Sequence, residues 1–309
     1  MAFTAQDVKA LREKTGVGMM ECKKALTESN GDMEKAIDYL REKGLAAAAK
    51  KATRIAAEGV VLAHYDEAAK AGVVVEVNSE TDFVAKNEKF QNFVLGVAKT
   101  IISKRPADVE ALMDEKFEDT DLTVTETLNE LILSIGENMK VRRFEVMEGT
   151  VATYIHGGGS VGVMVGFKVA DEAKASEEVF QAMGKDVAMQ IAAMNPTYLN
   201  EASVPAEVIE HEKEILAIQL QQDEKNKNKP AQVIEKIVSG RIGKYFKENC
   251  LIEQEFVKNS DFSVGGYIDN VAKALGTSIE ATAFIRYAKG EGLQKREDNF
   301  ADEIASLTK

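Results

Sequence analysis

The chain has 309 residues, long enough for two or three domains with cores of their own. An apolar fraction of 45% with 29% charged residues is that of a soluble globular protein, and a formal net charge of −12 argues against a nucleic-acid surface. The basic pairs Lys50-Lys51 and Arg142-Arg143 read as solvated edges, and no apolar run approaches the roughly 18–20 residues that span a bilayer.

Met1-Ala2-Phe3-Thr4 leads directly into a charged amphipathic segment, unlike a signal peptide. Cys22 and Cys250 are remote from each other and lie in no CxxC or CxxH setting. They read as reduced thiols of a cytoplasmic protein, with neither a disulfide framework nor a zinc site.

Residues 4–44 read as three short helices. Thr4 caps the first, which carries Val8 and Leu11 and ends near Thr15-Gly16; the second runs from Met19 to Ser29. Asn30-Gly31 turns the chain, Asp32 caps the third helix and Gly44 ends it. A bundle so small has a thin core and suits a docking module, residues 1–45. Met19 and Met20 open its second helix. Adjacent helical positions diverge by about 100°, so one of the two points away from the core as a soft, adaptable contact. The Ala- and Lys-rich stretch 46–57 reads as a linker, a helical or flexible tether.

Residues 58–147 form a first core unit: strands near Val60–His64 and Val73–Val77, a helix over 87–103, more helix near Val124–Ile135 and a strand at Val141–Met147. A second unit begins at Glu148. It is interrupted by 206–249 and closes with a helix near Val264–Leu275 and a strand near Ile279–Tyr287, so it comprises 148–205 plus 250–309. The interruption reads as an antiparallel helical hairpin. Val208, Ile215 and Ile218 mark one helix, Ile234, Ile237, Val238, Ile242 and Tyr245 the other, and Asn226–Pro230 the turn. Two helices bury a single seam, which makes the hairpin a projection and a candidate surface for self-association.

The two units are copies. Residues 58–106 align with 148–196 at a constant offset of 90 without a gap; Glu58/Glu148, Gly59/Gly149, Phe90/Phe180, Val97/Val187, Ile101/Ile191 and Pro106/Pro196 are among the identities. The fold expected is therefore α+β: a three-helix module, duplicated core subdomains and an inserted hairpin.

Between the second strand and the long helix of the first unit stands Thr81-Asp82-Phe83-Val84. The plain reading makes Asp82 a cap and Phe83 a core residue, because Phe83, Phe90, Val94, Val97 and Ile101 share a helical face if the helix starts early. The repeat counts against it. Phe90, Val97 and Ile101 recur in the second copy, whereas Phe83 is replaced by Ala173. A ring that the shared scaffold needed should recur, so Phe83 reads as a contact residue of the first copy, in the manner of exposed aromatic anchors.

Other signals are weaker. Gly158-Gly159-Ser160-Val161-Gly162 matches G-x-S-x-G, but Val161–Val165 reads as a strand where a nucleophile elbow needs a helix. His156 sits at the expected hairpin tip as a contact candidate; His64 and His211 have no partners at metal-ligand spacing, and no Walker loop or GxGxxG is present. No catalytic or metal-binding residue is therefore expected.

These features together resemble the elongation factor Ts family. Leu11-Arg12-Glu13-Lys14-Thr15-Gly16-Val17-Gly18-Met19-Met20-Glu21-Cys22-Lys23-Lys24-Ala25-Leu26 is similar to the family's opening signature, and Val75-Glu76-Val77-Asn78-Ser79-Glu80-Thr81-Asp82-Phe83-Val84-Ala85-Lys86-Asn87 to its second. The resemblance covers essentially the whole chain. It implies a nucleotide exchange partner of the GTPase elongation factor Tu, not an enzyme, with no cofactor. The N-terminal module, similar to ubiquitin-associated domains, would grip the GTPase through Arg12, Met19 and Met20. Thr81, Asp82, Phe83 and Val84 would intrude near its Mg²⁺ and phosphates, and His156 would make a further contact. The glycine-rich turn after His156 would be loose.

Overall fold

The computed structural model describes residues 3–222 and 229–294. Three helices open the chain: α1 (Ala5–Thr15), α2 (Met19–Glu28) and α3 (Met33–Lys51). Thr4 and Asp7 form a reciprocal capping box, Gly16 closes α1 in the left-handed region, and Asp32 caps α3 through the amides of Glu34 and Lys35. Val8, Leu11, Cys22, Leu26 and Leu40 fill the small core.

Gly44 does not end the third helix as expected. It is buried, and a Cβ there would come within 3.2 Å of the Asn129 carbonyl. The glycine therefore serves close helix packing rather than termination, and α3 continues to Lys51. The stretch read as a 46–57 linker is helical over its first half, and the module lies against the body. Leu133 packs into its core and Ala48 into the neighbouring one. Lys89 Nζ and Ser134 Oγ both donate to the Gly16 carbonyl, at 2.8 and 3.0 Å.

β1 (Glu58–Asp66), β2 (Ala71–Ser79) and β3 (Met139–Glu148) form an antiparallel sheet in that order. Between β2 and β3 run α4 (Asp82–Ala85), α5 (Glu88–Lys104), α6 (Val109–Asp114) and α7 (Val124–Ile135). β4 (Thr150–His156) and β5 (Val161–Val169) begin the second sheet, followed by α8 (Glu178–Met194), α9 (Ala206–Gln222), α10 (Ala231–Asn249) and α11 (Val264–Leu275). β6 (Ile279–Ala288) completes it beside β5.

The repeat reaches further than its sequence identities. Past the hairpin the offset steps from 90 to 140: α7 corresponds to α11, their N-caps Thr123 and Ser263 match, and Gly136 and Gly276 both close their helices in the left-handed region. A β-bulge recurs at Glu76/Val77 and at Gly166/Phe167.

The two sheets pack face to face and carry their helices outside. Val73, Val75 and Val77 point to α5, while Val74 meets Val61, Val151 and Met164 between the sheets. β2, covered on both faces, is buried along its length. Close approach depends on a reciprocal pair of glycines. A Cβ on Gly72 would come within 2.6 Å of Met164 Sδ, and one on the equivalent Gly162 within 2.5 Å of Val61.

The hairpin buries Leu220, Val238 and Ile242 along its own seam and leaves Ile218 and Val233 exposed. Asn226–Asn228, assigned to its turn, lie outside the described residues.

Candidate functional site

The turn after β2 shows why Phe83 leaves the core. Thr81 caps α4 by accepting from the Val84 amide. Within that single helical turn Phe83 and Val84 diverge by about 100°, and only one can face the sheet. Val84 and Ala85 take the buried side, and Phe83 is left 80% exposed. A fully buried Phe contributes roughly 1.5–3 kcal/mol, so the fold forgoes most of that here. The core-residue reading of Phe83 fails. Val84, expected beside it at a partner surface, is 5% exposed and packs in the core of the first unit.

The base of the turn is polar and fastened. Asp82 pairs with Lys86 at 2.6 Å, one helical turn on, and this contact holds its carboxyl below the usual range; the Lys289 ammonium acts in the same sense. Glu137, just past the end of α7, accepts from Thr81 N (3.1 Å) and Thr81 Oγ1 (2.8 Å). Glu80 accepts from the Asn138 amide at 2.6 Å and lies 3.4 Å from Arg54.

The second turn of interest joins β4 to β5. Tyr154 Oη lies 3.3 Å from His156 Nδ1, and His156 is exposed at the tip. Ser160 Oγ donates to the Gly157 carbonyl (2.9 Å) and a strand follows, so the G-x-S-x-G match is a hairpin turn and not a nucleophile elbow. The glycines are required by conformation, since Gly157, Gly158 and Gly159 all have positive φ. The turn is not loose. The Gly159 carbonyl accepts from Val61 N (2.8 Å), and a Cβ on Gly159 would come within 2.9 Å of Val60.

The two turns share one end of the paired sheets. Lys289 N donates to the Ser160 carbonyl (2.9 Å), its ammonium pairs with Glu58 at the start of β1, and its charge is felt at Asp82. In the N-terminal module Arg12, Met19 and Met20 are all exposed, the methionines by 43% and 74%, so both of the pair, not one, face away from the core. The module's Gly16 loop is tied by Lys89 to the first turn of α5, close after the Phe83 turn.

Sequence reasoning overlooked Lys86, Lys289, Glu80 and Glu137. The spacing of Asp82 and Lys86 by four residues was a readable sign. The other three depend on contacts between distant segments and had none.

Among the described residues no group of three His, Cys, Asp or Glu side chains could hold a metal ion, and no helix is long and apolar enough to cross a membrane. The fold presents an exposed ring on a hydrogen-bonded turn, set in an α+β body of two matching sheets with a helical module at one side.

The family described as Elongation factor TS matches residues 80–291. The chain is 52% identical over 308 residues to Elongation factor Ts of Clostridium perfringens strain SM101, covering 99% of both chains. It is 49% identical over 312 residues to that of Syntrophotalea carbinolica, covering all of both, and 50% identical over 306 residues to that of Clostridium kluyveri, covering 98% and 97%. The chain is thus a translation elongation factor by class. It belongs to the elongation factor Ts family.

Proposed function

We propose that the chain is a guanine nucleotide exchange factor that binds GDP-loaded elongation factor Tu in the cytoplasm and promotes GDP release, without catalysing bond-making chemistry of its own. The observation that carries this reading is Phe83. It is the most exposed large apolar side chain among the described residues, stands on a turn anchored by buried Val84, and has alanine as its counterpart in the second copy.

A ring presented in this way acts by insertion. Driven into the partner beside its Mg²⁺ and phosphates, with the ionised Asp82 next to it, the turn disturbs the ion's surroundings, where the metal is the largest local charge. Arg12, Met19 and Met20 grip the GTPase from the helical module, and His156 adds a contact from the β4–β5 turn. Exchange then follows from reciprocity. A partner that prefers the nucleotide-free state lowers nucleotide affinity, and nucleotide lowers the affinity for that partner by the same factor. Neither nucleic acid nor membrane is a partner in this scheme. Among its described residues the hairpin offers a second copy of the chain Ile218 and Val233 as large exposed apolar side chains.

The test is to mix the purified full chain with elongation factor Tu carrying fluorescent GDP and follow the loss of bound nucleotide. Catalytic amounts should accelerate release. Release at the spontaneous rate over a range of saturating concentrations would end the proposal.

A further inference from the structure

Phe83 is 80% exposed, so packing against its own protein does not fix where it points. Its direction depends on the backbone of the turn, which Ser79 Oγ holds by donating to the Thr81 carbonyl (2.9 Å) and Glu137 holds from the far side. Both carboxylate oxygens of Glu137 are committed to one residue: Oε2 accepts from Thr81 N and Oε1 from Thr81 Oγ1. The Thr81 hydroxyl, donating to Glu137, turns a lone pair toward the Val84 amide that it caps. Carboxylate, hydroxyl and helix start therefore form one chain of hydrogen bonds ending at the residue beside Phe83. Glu137 reaches this place because Gly136 closes α7 with φ +90° and turns the chain back over the start of α4.

The internal repeat separates what the scaffold needs from what the ring needs. The counterpart of Glu137 is Thr277, whose hydroxyl accepts from Asp171 N at 3.0 Å, as Glu137 accepts from the equivalent Thr81 N. One bond from the end of the last helix to the turn is thus common to both copies. In the second copy the acceptor is neutral, makes a single bond, and the turn carries Ala173. In the first copy the acceptor is a carboxylate with two bonds, and the turn carries the exposed ring. The strengthened fastening accompanies the ring.

We propose that Glu137 is a positioning residue: its carboxylate holds the Thr81–Val84 turn in the one arrangement that presents Phe83, so that the ring enters the partner without first being ordered. This rests on the exchange reading above. Pre-ordering matters because immobilising a free segment on binding subtracts from the affinity that its contacts supply.

Four variants of the full chain test it: Glu137→Ala, Glu137→Thr, which restores the single acceptor of the second copy, Phe83→Ala, and Phe83→Ala combined with Glu137→Ala. In the free protein, hydrogen exchange at the Thr81 and Val84 amides should rise about ten-fold in Glu137→Ala while β2 amides stay protected, with Glu137→Thr intermediate. That factor corresponds to the lower end of the net contribution of a hydrogen bond to a charged group. The maximal rate of GDP release from elongation factor Tu should fall about ten-fold in Glu137→Ala and less in Glu137→Thr. In the Phe83→Ala background the Glu137→Ala change should cost nothing more, because there is no ring left to position.

An equal loss in both backgrounds would make Glu137 an independent contact or a general support and overturn the proposal. So would unchanged release in Glu137→Ala while Phe83→Ala is slow. Full release by Phe83→Ala itself would instead remove the wedge, and the positioning role with it.

Discussion

Glu76 lies between the two sheets with none of its side chain exposed, and its replacement by glutamine should be among the most damaging isosteric changes in the chain. Oε1 accepts from Asn78 Nδ2 (3.0 Å), Arg142 Nη1 (3.0 Å) and Gly290 N (2.7 Å), and Oε2 from Arg142 Nη1 (3.0 Å) and Arg143 Nε (2.6 Å). The bulge in the β2–β3 ladder is what lets two successive arginines face one carboxylate. Burial alone would push Glu76 up, but the Gly290 amide, Asn78 and the two arginines outweigh it and hold the carboxyl below its ordinary range.

A glutamine can turn its oxygen only one way. Its NH₂ would face either two or three donors, and two arginines would lose their counter-charge. Removing one partner of a buried ion pair costs about 3–5 kcal/mol. Arg142 and Arg143 remain 21% and 29% exposed and Arg143 keeps Glu291 and the Tyr287 ring, so the lower end, about 3 kcal/mol, applies here. At about 2–4 °C per kcal/mol for a chain of a few hundred residues, the melting temperature should drop by roughly 6–12 °C at pH 7.

The sign of the pH dependence follows from the depressed carboxyl. Its stabilisation is complete above the unfolded value of about 4.3 and is lost as pH falls through the folded value. The gap between the parent and Glu76→Gln, read by calorimetry, should therefore be widest at neutral pH and close on acidification. A gap under 1 °C at pH 7, or one that widens toward pH 4, would refute the assignment of Glu76 as an ionised keystone.

Gly240 and Gly243 sit inside α10 with open space where a Cβ would go. Either one changed to alanine should stabilise the helix by about 0.5–1 kcal/mol and slow α10 amide exchange several-fold; faster exchange would show a role for the glycine that the structure does not reveal. Deleting residues 1–51, the module with the whole of α3, should leave both sheets folded yet lower the affinity for elongation factor Tu, measured by titration. Undiminished affinity would take the helical module out of the proposed interface. Ser160→Ala should leave GDP release unchanged, because its hydroxyl only closes a turn; esterase activity abolished by that substitution would overturn this.

Much of the fold could be read along the chain because its signals are local. The caps at Thr4 and Asp32 and the 3.6-residue periodicity of α5 and α10 lie within a few residues of what they specify. Gly44 misled because a glycine that ends a helix and one that admits a neighbouring helix look alike until Asn129 is in place. The face-to-face packing of the sheets, which needs Gly72 and Gly162 at equivalent positions, is a contact between copies and left no periodic trace. At the candidate site, Phe83 stood out through its missing counterpart, whereas the burial of Val84 could not be read, because a motif does not say which of two neighbours turns inward. Glu76, a charged residue in an apolar strand, could be recognised as odd, but its partners at Arg142, Arg143 and Gly290 are set by the fold.

The central claim is that Phe83 serves the partner and not the fold. It is tested most directly by measuring melting temperature and GDP release on one sample of Phe83→Ala. With the side chain 80% exposed, only about a fifth of its burial energy is at stake, roughly 0.5 kcal/mol, and the melting temperature should move by no more than about 2 °C. As an interface anchor the ring should be worth about 2 kcal/mol or more, so accelerated GDP release should fall about thirty-fold. A melting temperature lowered in proportion to the lost activity, or full activity at full stability, would contradict the account.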